Sequence, residues 1–249
     1  MDNLTITAAS GMKARIQSLE MLANNLANQS SAGYKADREF YSLYLSPEAL
    51  ASAGATASGL PTTMPVIERH WTDFSQGMLQ ETGNPTHLAL QGDGFFVVRG
   101  ANGPLYTRNG DFRLSPTGEL VTREGYAVMD TRNRPIKLDV TQSVEFSPTG
   151  EVRQQGSSIS QLQLVDIRQP EALNKTSGAY FSLSTPATPP APSKAELHQG
   201  KLEAANFSTP SAAVRLISVM RQFETLQRAV QIGGEMGRKT VEEVARVGN

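Results

Sequence analysis

Phe112-Arg-Leu-Ser-Pro-Thr-Gly-Glu-Leu-Val121 returns, with the same pattern, as Val144-Glu-Phe-Ser-Pro-Thr-Gly-Glu-Val-Arg153. In each copy proline takes the second position of a four-residue turn and glycine the fourth, as a type I turn prefers. Apolar residues flank the turn, so each copy reads as an antiparallel hairpin. Working outward, Leu88-Ala-Leu-Gln-Gly-Asp-Gly-Phe-Phe-Val-Val98 reads as strand, hairpin turn, strand, and Tyr106-Thr-Arg-Asn-Gly110 carries an Asn-Gly turn signal. Later strands are expected at Ser160–Ile167 and Ala179–Leu183. Residues 66–183 therefore read as an antiparallel β-domain built from hairpins.

Two segments bracket that domain. Residues 36–65 read as a linker or extended segment, rich in Ala, Ser, Gly and Thr from Ala49 to Pro65. Residues 184–204 read as a return linker, stiffened by Pro186, Pro189, Pro190 and Pro192. Beyond them the period changes. In the N-terminal segment Thr5, Ala9, Met12, Ile16, Leu19, Ala23 and Leu26 recur at steps of four and three, with Ala8 and Leu22 beside them. Asn24, Asn25 and Asn28 crowd the end of that helix, and Gly33 reads as its stop or turn. In the C-terminal segment Thr209-Pro210 offers a hydroxyl cap and a proline at the first helical position. Leu216, Val219, Phe223, Leu226 and Val230 then keep the heptad step, and the register continues through Gly233, Gly237, Thr240, Val244 and Val247. Such a helix reaches roughly 60 Å. Gly233, Gly234 and Gly237 either break it or let another backbone approach.

Narrow apolar seams of this kind suit a coiled coil or a polymer of helices better than a broad core-facing stripe. The fold class read from the sequence is α+β, mostly β. Discontinuous terminal helices, within 1–35 and 205–249, form a coiled-coil domain into which the β-domain is inserted.

Composition narrows the function classes. The 249 residues carry 23 Lys+Arg against 24 Asp+Glu, which argues against bulk electrostatic binding of nucleic acid or an anionic membrane. The chain has no cysteine, so disulfides, thiolate-ligated metal and thiol catalysis are out. No apolar run approaches a membrane span, and Met1-Asp2-Asn3-Leu4-Thr5 has neither a basic nor an apolar leader region, so no cleaved signal peptide is expected. His70, His87 and His198 lack metal-ligand spacing and read as packing or surface residues. Gly92-Asp93-Gly94 runs into a strand rather than a helix that could hold phosphate. Asp37, Arg38 and Glu39 read as a solvated charged face. Neither catalytic, nor cofactor-binding, nor metal-binding residues are assigned. A hydrolase would need a convergent acid–base cluster, and a carbohydrate-binding module would need stacked aromatics, for which Trp71 alone gives weak support. The residues point to a non-enzymatic assembly protein. Seams that contact copies head to tail, without closing a ring, give filaments.

Leu22-Ala-Asn-Asn-Leu-Ala-Asn-Gln-Ser-Ser-Ala-Gly-Tyr-Lys35 resembles the N-terminal signature of bacterial flagellar rod and hook proteins, with Ser31 where Thr is usual. Thr82-Gly83-Asn84, Gly92-Asp-Gly-Phe-Phe-Val-Val98, Tyr106-Thr-Arg-Asn-Gly-Asp-Phe112 and Gly118-Glu-Leu-Val121 resemble the family's β-domain. Gln199-Gly-Lys-Leu-Glu-Ala-Ala-Asn-Phe207 resembles its C-terminal motif, with Ala205 and Phe207 as departures. The resemblance implies a subunit of the basal-body rod, which spans the periplasm and carries torque to the hook. The terminal helices would form the inner layer of that tube. Length, the Met1-Asp2 start and Gly-Asp-Gly-Phe-Phe point to the proximal rod, with the distal rod next; a hook subunit would carry more outer-domain sequence. Expected partners are other rod proteins, copies of itself and the flagellar type III export apparatus, with no nucleic acid and no membrane embedding. Leu19, Leu26, Leu216, Val219, Phe223 and Leu226 are the expected seam contacts between subunits. Asn24, Asn25, Asn28 and Gly33 are expected to shape the helix end or to bond neighbours.

Overall fold

The computed structural model describes residues 3–45, 63–183 and 190–247. Most of the Ala49–Pro65 and Ser184–Lys194 linker readings lies outside the described residues. The chain divides into two compact units. Unit 1 holds Met1–Leu26, Asp37–Thr72 and Ser208–Asn249; unit 2 holds Ala27–Ala36 and Asp73–Phe207. The backbone therefore enters unit 2 twice, not once as a simple insertion would.

In unit 1, helix α1 spans Asn3–Ala27, strands β1 (Asp37–Leu45) and β2 (Thr63–Thr72) pair antiparallel, and helix α2 spans Thr209–Val247. The segment read as a linker at 36–65 thus carries a strand, with a register shift between Phe40 and Tyr41. Helix α2 runs unbroken through Gly233, Gly234 and Gly237, and a Cβ on Gly234 would meet nothing within 4 Å. Here the cooperative length of the helix outweighs the roughly 1 kcal/mol cost of each helical glycine.

Unit 2 is antiparallel throughout its described pairs. Its strands in chain order are β3 (Leu79–Glu81), β4 (Leu88–Gln91), β5 (Phe95–Gly100), β6 (Gly103–Thr107), β7 (Phe112–Leu114) and β8 (Leu120–Thr122). There follow β9 (Ala127–Val128), β10 (Val144–Phe146), β11 (Glu151–Gln154), β12 (Ser157–Gln161) and β13 (Leu164–Asp166). The last are β14 (Leu173–Ser177), β15 (Tyr180–Leu183), β16 (Ala191–Pro192), β17 (Glu196–Gln199) and β18 (Lys201–Glu203). The main sheet runs β14-β15-β6-β5-β9-β8-β7, with β13 on β5 and β16 on β13. A three-stranded sheet β10-β11-β12 and two ladders, β17-β4 and β18-β3, complete the unit.

The repeat forms the expected hairpins, β7-β8 and β10-β11. Both turns close identically: Gly118 N donates to Ser115 O and Gly150 N to Ser147 O, each at 2.9 Å. The serine hydroxyls then accept Glu119 N and Glu151 N, each at 3.0 Å. Both glycines sit at positive φ, +77° and +87°, where a side chain would be strained. Two local readings fail. Gly92-Asp93-Gly94 is not a hairpin turn, because β4 pairs with β17, which returns from the far end of the unit. Asn109-Gly110 joins β6 to β7 across the sheet, and Gly110 lies so close to Leu88 O that a Cβ would stand 1.7 Å away. The return linker read at 184–204 carries β17 and β18, whose Leu197 and Glu203 are buried.

Strand β5 explains the continuous apolar run Phe95-Phe96-Val97-Val98. Phe96 and Val98 face a core with Leu88, Leu90, Phe112 and Leu120, while Phe95 and Val97 face a second with Tyr106, Val165 and Phe181. Burial on both faces stabilises by roughly 1.5–3 kcal/mol for each of these side chains.

At the edge of this core Asp130 organises a tight turn. Its carboxylate accepts Arg132 N at 2.9 Å and Arg134 N at 2.8 Å, with Arg134 Nη2 at 3.4 Å. Burial pushes this carboxyl group up, but the two amides and the guanidinium outweigh it and hold it below the usual carboxylate value. A depressed carboxylate contributes stability above the unfolded value near pH 4 and loses it as pH falls through its own lower value. Asp130→Asn is therefore expected to cost about 1 kcal/mol at pH 7. That difference should shrink as pH falls through the lowered value of this carboxyl group, as urea unfolding followed across pH would register.

Candidate functional site

The motifs at the two ends of the chain are halves of one buried clasp in unit 2. Lys35 and Glu203 both have fully buried side chains and meet at 2.5 Å, 168 residues apart in sequence. Lys35 Nζ also donates to Ser75 O at 2.7 Å, and the Glu203 carboxylate also accepts Gly77 N at 2.8 Å. Arg108, 4 % exposed, lies 3.5 Å from the other Glu203 oxygen and donates to Leu90 O at 3.3 Å. Burial presses on both cations, and Glu203 pulls against it. Around this centre the backbones interlock. Gly33 N donates to Glu203 O at 2.7 Å, and Asp73 N to Ala36 O at 2.9 Å. Asn206 accepts Ala36 N at 2.8 Å and donates to Asp73 O at 2.6 Å. Lys175 Nζ reaches Lys35 O at 2.7 Å and stands 4.0 Å over the Tyr34 ring.

Gly33 is required here for space. A Cβ would fall 2.2 Å from the Arg108 carbonyl carbon, and φ is +64°. It lies six residues past the end of α1, in a turn, so of the two readings it is the turn and not the helix stop. Asn25 is buried and pairs both ways with the Asp37 backbone, at 2.8 and 3.0 Å. The Asn28 backbone carbonyl accepts Ser31 N at 3.0 Å, closing a turn, and Asn24 is exposed.

In unit 1 the buried face of α1 is Gly11, Ala14, Ser18, Leu22 and Asn25, one residue off the stripe read from the sequence. The reason is size. Small residues admit close approach, and a Cβ on Gly11 would come within 3.3 Å of Leu226 on α2. Ser18 donates to Glu39, whose fully buried carboxylate also takes Arg215 of α2. Glu39 is thus a junction of α1, β1 and α2 rather than part of a solvated face. Leu19 and Leu26 are half-buried, and Ile16 is 44 % exposed. On α2 the least exposed stripe coincides with the expected one: Val219 is buried, and Leu216, Phe223 and Leu226 are half-buried. A second set on α2 is open, with Val214 70 %, Ile217 54 % and Met236 66 % exposed.

Little else invites chemistry. Among the described residues no group of three or more His, Asp or Glu could hold a metal ion, and no helix is long and apolar enough to cross a membrane. Two adjoining clefts, about 520 and 410 Å³, share Thr131, Thr149 and Gln161, and no histidine lines either. Thr82, His87 and Asp111 do form a hydroxyl–imidazole–carboxylate row, which sequence spacing did not reveal. The Thr82 hydroxyl donates to Gly200 O at 3.1 Å, however, and the amides of Thr82 and Gly83 bond the same carbonyl. The hydroxyl is not presented to the imidazole as an acid, and these amides cannot hold an oxyanion.

Comparison with known proteins agrees with this picture. Residues 7–35 match the family model described as flagella basal body rod protein, and residues 89–154 match that of the flagellar hook protein FlgE/F/G D1 domain. The chain is 28% identical to the flagellar basal-body rod protein FlgF of Caulobacter vibrioides, over 99% of this chain and 100% of that one. It is 31% identical to the flagellar basal-body rod protein FlgG of Agrobacterium fabrum, over 92% of this chain and 94% of that one. A FlgF of Mesorhizobium japonicum is 28% identical over 90% of each chain. With two end motifs interlocked in one clasp and relatives aligned over nearly their whole length, the chain belongs to the flagellar basal-body rod protein family.

Proposed function

We propose that this chain is a structural subunit of the flagellar basal-body rod, joining copies of itself and other rod proteins through its terminal helices to build the torque-transmitting shaft. The observation that carries the assembly mode is the apolar surface left outside the helix pair: Ile16 on α1, and Val214, Ile217, Met220, Ile232 and Met236 on α2. A monomer gains nothing from such surface, and helices from neighbours would bury it. Half-buried Leu19, Leu26, Leu216, Phe223 and Leu226 then extend that surface as a coiled-coil layer, exposed Asn24 bonds across it, and Val219, buried within unit 1, is not a contact between subunits. Asn25 acts within unit 1 by holding the Asp37 backbone, and Asn28 and Gly33 act within unit 2 by shaping the turn before the clasp. The reading includes export by the flagellar type III route, a place in the periplasm-spanning basal body, and no enzymatic or cofactor-dependent step. Alignment over 99% of this chain and all of the Caulobacter FlgF favours a FlgF-type subunit, which we read as the proximal rod. The 31% identity to a FlgG keeps the distal rod as the second reading.

The cysteine-free chain makes the test clean. A cysteine at Ile217, oxidised in purified basal bodies against single cysteines in each rod subunit, is expected to give cross-links whose partner fixes the position. Incorporation with no cross-link would overturn the helical seam. Absence of the protein from basal bodies would overturn the rod assignment.

A further inference from the structure

We propose that His87 is a proton-operated latch on the exposed loop 82–87 of unit 2, its Nε2 holding the Asn84 amide when neutral and the Asp111 carboxylate when protonated. Three distances define it. Nδ1 lies 2.9 Å from Thr82 Oγ1, while Nε2 lies 3.2 Å from Asn84 Nδ2 and 3.3 Å from Asp111 Oδ1. Thr82 gives its own proton to Gly200 O, so its oxygen accepts and Nδ1 carries hydrogen in both states. Only Nε2 changes. The Asn84 side chain cannot flip to suit it, because its Oδ1 already accepts Thr86 N at 3.1 Å and Thr86 Oγ1 at 2.9 Å. Nδ2 therefore always presents a donor to Nε2.

The two partners of Nε2 exclude each other. A neutral imidazole offers a lone pair, which accepts from Asn84 and faces the carboxylate of Asp111 unfavourably. A protonated one offers N–H, which donates to Asp111 and meets the Asn84 amide donor to donor. Acid thus releases the Asn84 side chain. The loop backbone stays tied: Thr82 N and Gly83 N bond Gly200 O at 2.8 and 3.1 Å, His87 N bonds Asn84 O at 3.1 Å, and Gln199 Nε2 bonds Pro85 O at 2.8 Å. The charged groups around the imidazole are few. Asp111 stands before β7, and Arg123, after β8, holds the far Asp111 oxygen at 3.1 Å. Glu81 and Lys201 pair with each other at 3.4 Å on the ladder below the loop. Acidification consequently changes both the charge and the shape of one exposed edge of the unit.

Nitrogen-15 spectra of the full chain from pH 8 to pH 5 test this. The Asn84 side-chain amide pair and the backbone amides of Asn84 and Thr86 are expected to move together with the His87 ring. Amides of β5 should stay fixed. His87→Gln is expected to leave the loop signals unchanged across pH. Asp111→Asn, which removes the competing carboxylate, is expected to move the loop's transition to lower pH. An Asn84 amide that stays still while the ring titrates would overturn the latch. So would loop signals that still titrate in His87→Gln, or an Asp111→Asn transition left in place.

Discussion

Glu203→Leu is expected to lower the stability of unit 2 by about 3–5 kcal/mol, more than any surface change in the unit. The variant leaves Lys35 and Arg108 buried with no counter-charge, and takes the acceptor from Gly77 N as well. Stranding a buried charge costs more than the ion pair ever contributed, because desolvation is no longer offset. Lys35→Met alone is expected to fall in the same range. The double variant Lys35→Met/Glu203→Leu should recover a large part of the loss, since Arg108 retains its bonds to Leu90 O and Gly92 O. Hydrogen exchange at the β5 amides, combined with urea unfolding of the three variants, reads this out. Single variants that cost less than about 1 kcal/mol, or a double that costs their sum, would show that the clasp is not coupled as its geometry requires.

That clasp marks the limit of what local pattern conveys. Turn chemistry was legible where it was complete within a few residues, as at Ser115–Gly118 and Ser147–Gly150, whose hydrogen bonds repeat in both copies. The α2 stripe was legible because the helix period and the apolar residues coincide. What failed depended on distant partners. Glu39 looks solvated until Arg215 and Ser18 arrive from both helices. Gly92–Gly94 looks like a hairpin until β17 takes the edge of β4. The apolar stripe of α1 lies beside its buried face because large apolar side chains mark the stripe, whereas Gly11, Ala14 and Ser18 pack by being small. Arg108 and Gly33 stood within motifs that were recognised, yet their roles follow only from Glu203 and the backbone at Arg108–Asn109.

The same geometry decides which helix substitution isolates assembly. Val219 is 4 % exposed, so an aspartate there would disturb unit 1 itself before any neighbour is involved. Val214 and Ile217 are open to solvent, and Val214→Asp/Ile217→Asp is expected to change the stability of the soluble chain by no more than about 0.5 kcal/mol per site. In a polymer that buries this stripe, each subunit would then desolvate two unpaired carboxylates at several kcal/mol each. Every 1.4 kcal/mol is tenfold in association, so incorporation should fall by at least about a hundredfold and motility with it. Quantifying the subunit in purified basal bodies beside the thermal unfolding of the soluble variant separates the two effects. Normal incorporation of the double variant would mean that the open stripe of α2 faces no neighbour, leaving the half-buried residues Leu216, Phe223 and Leu226 as the remaining contact surface of that helix.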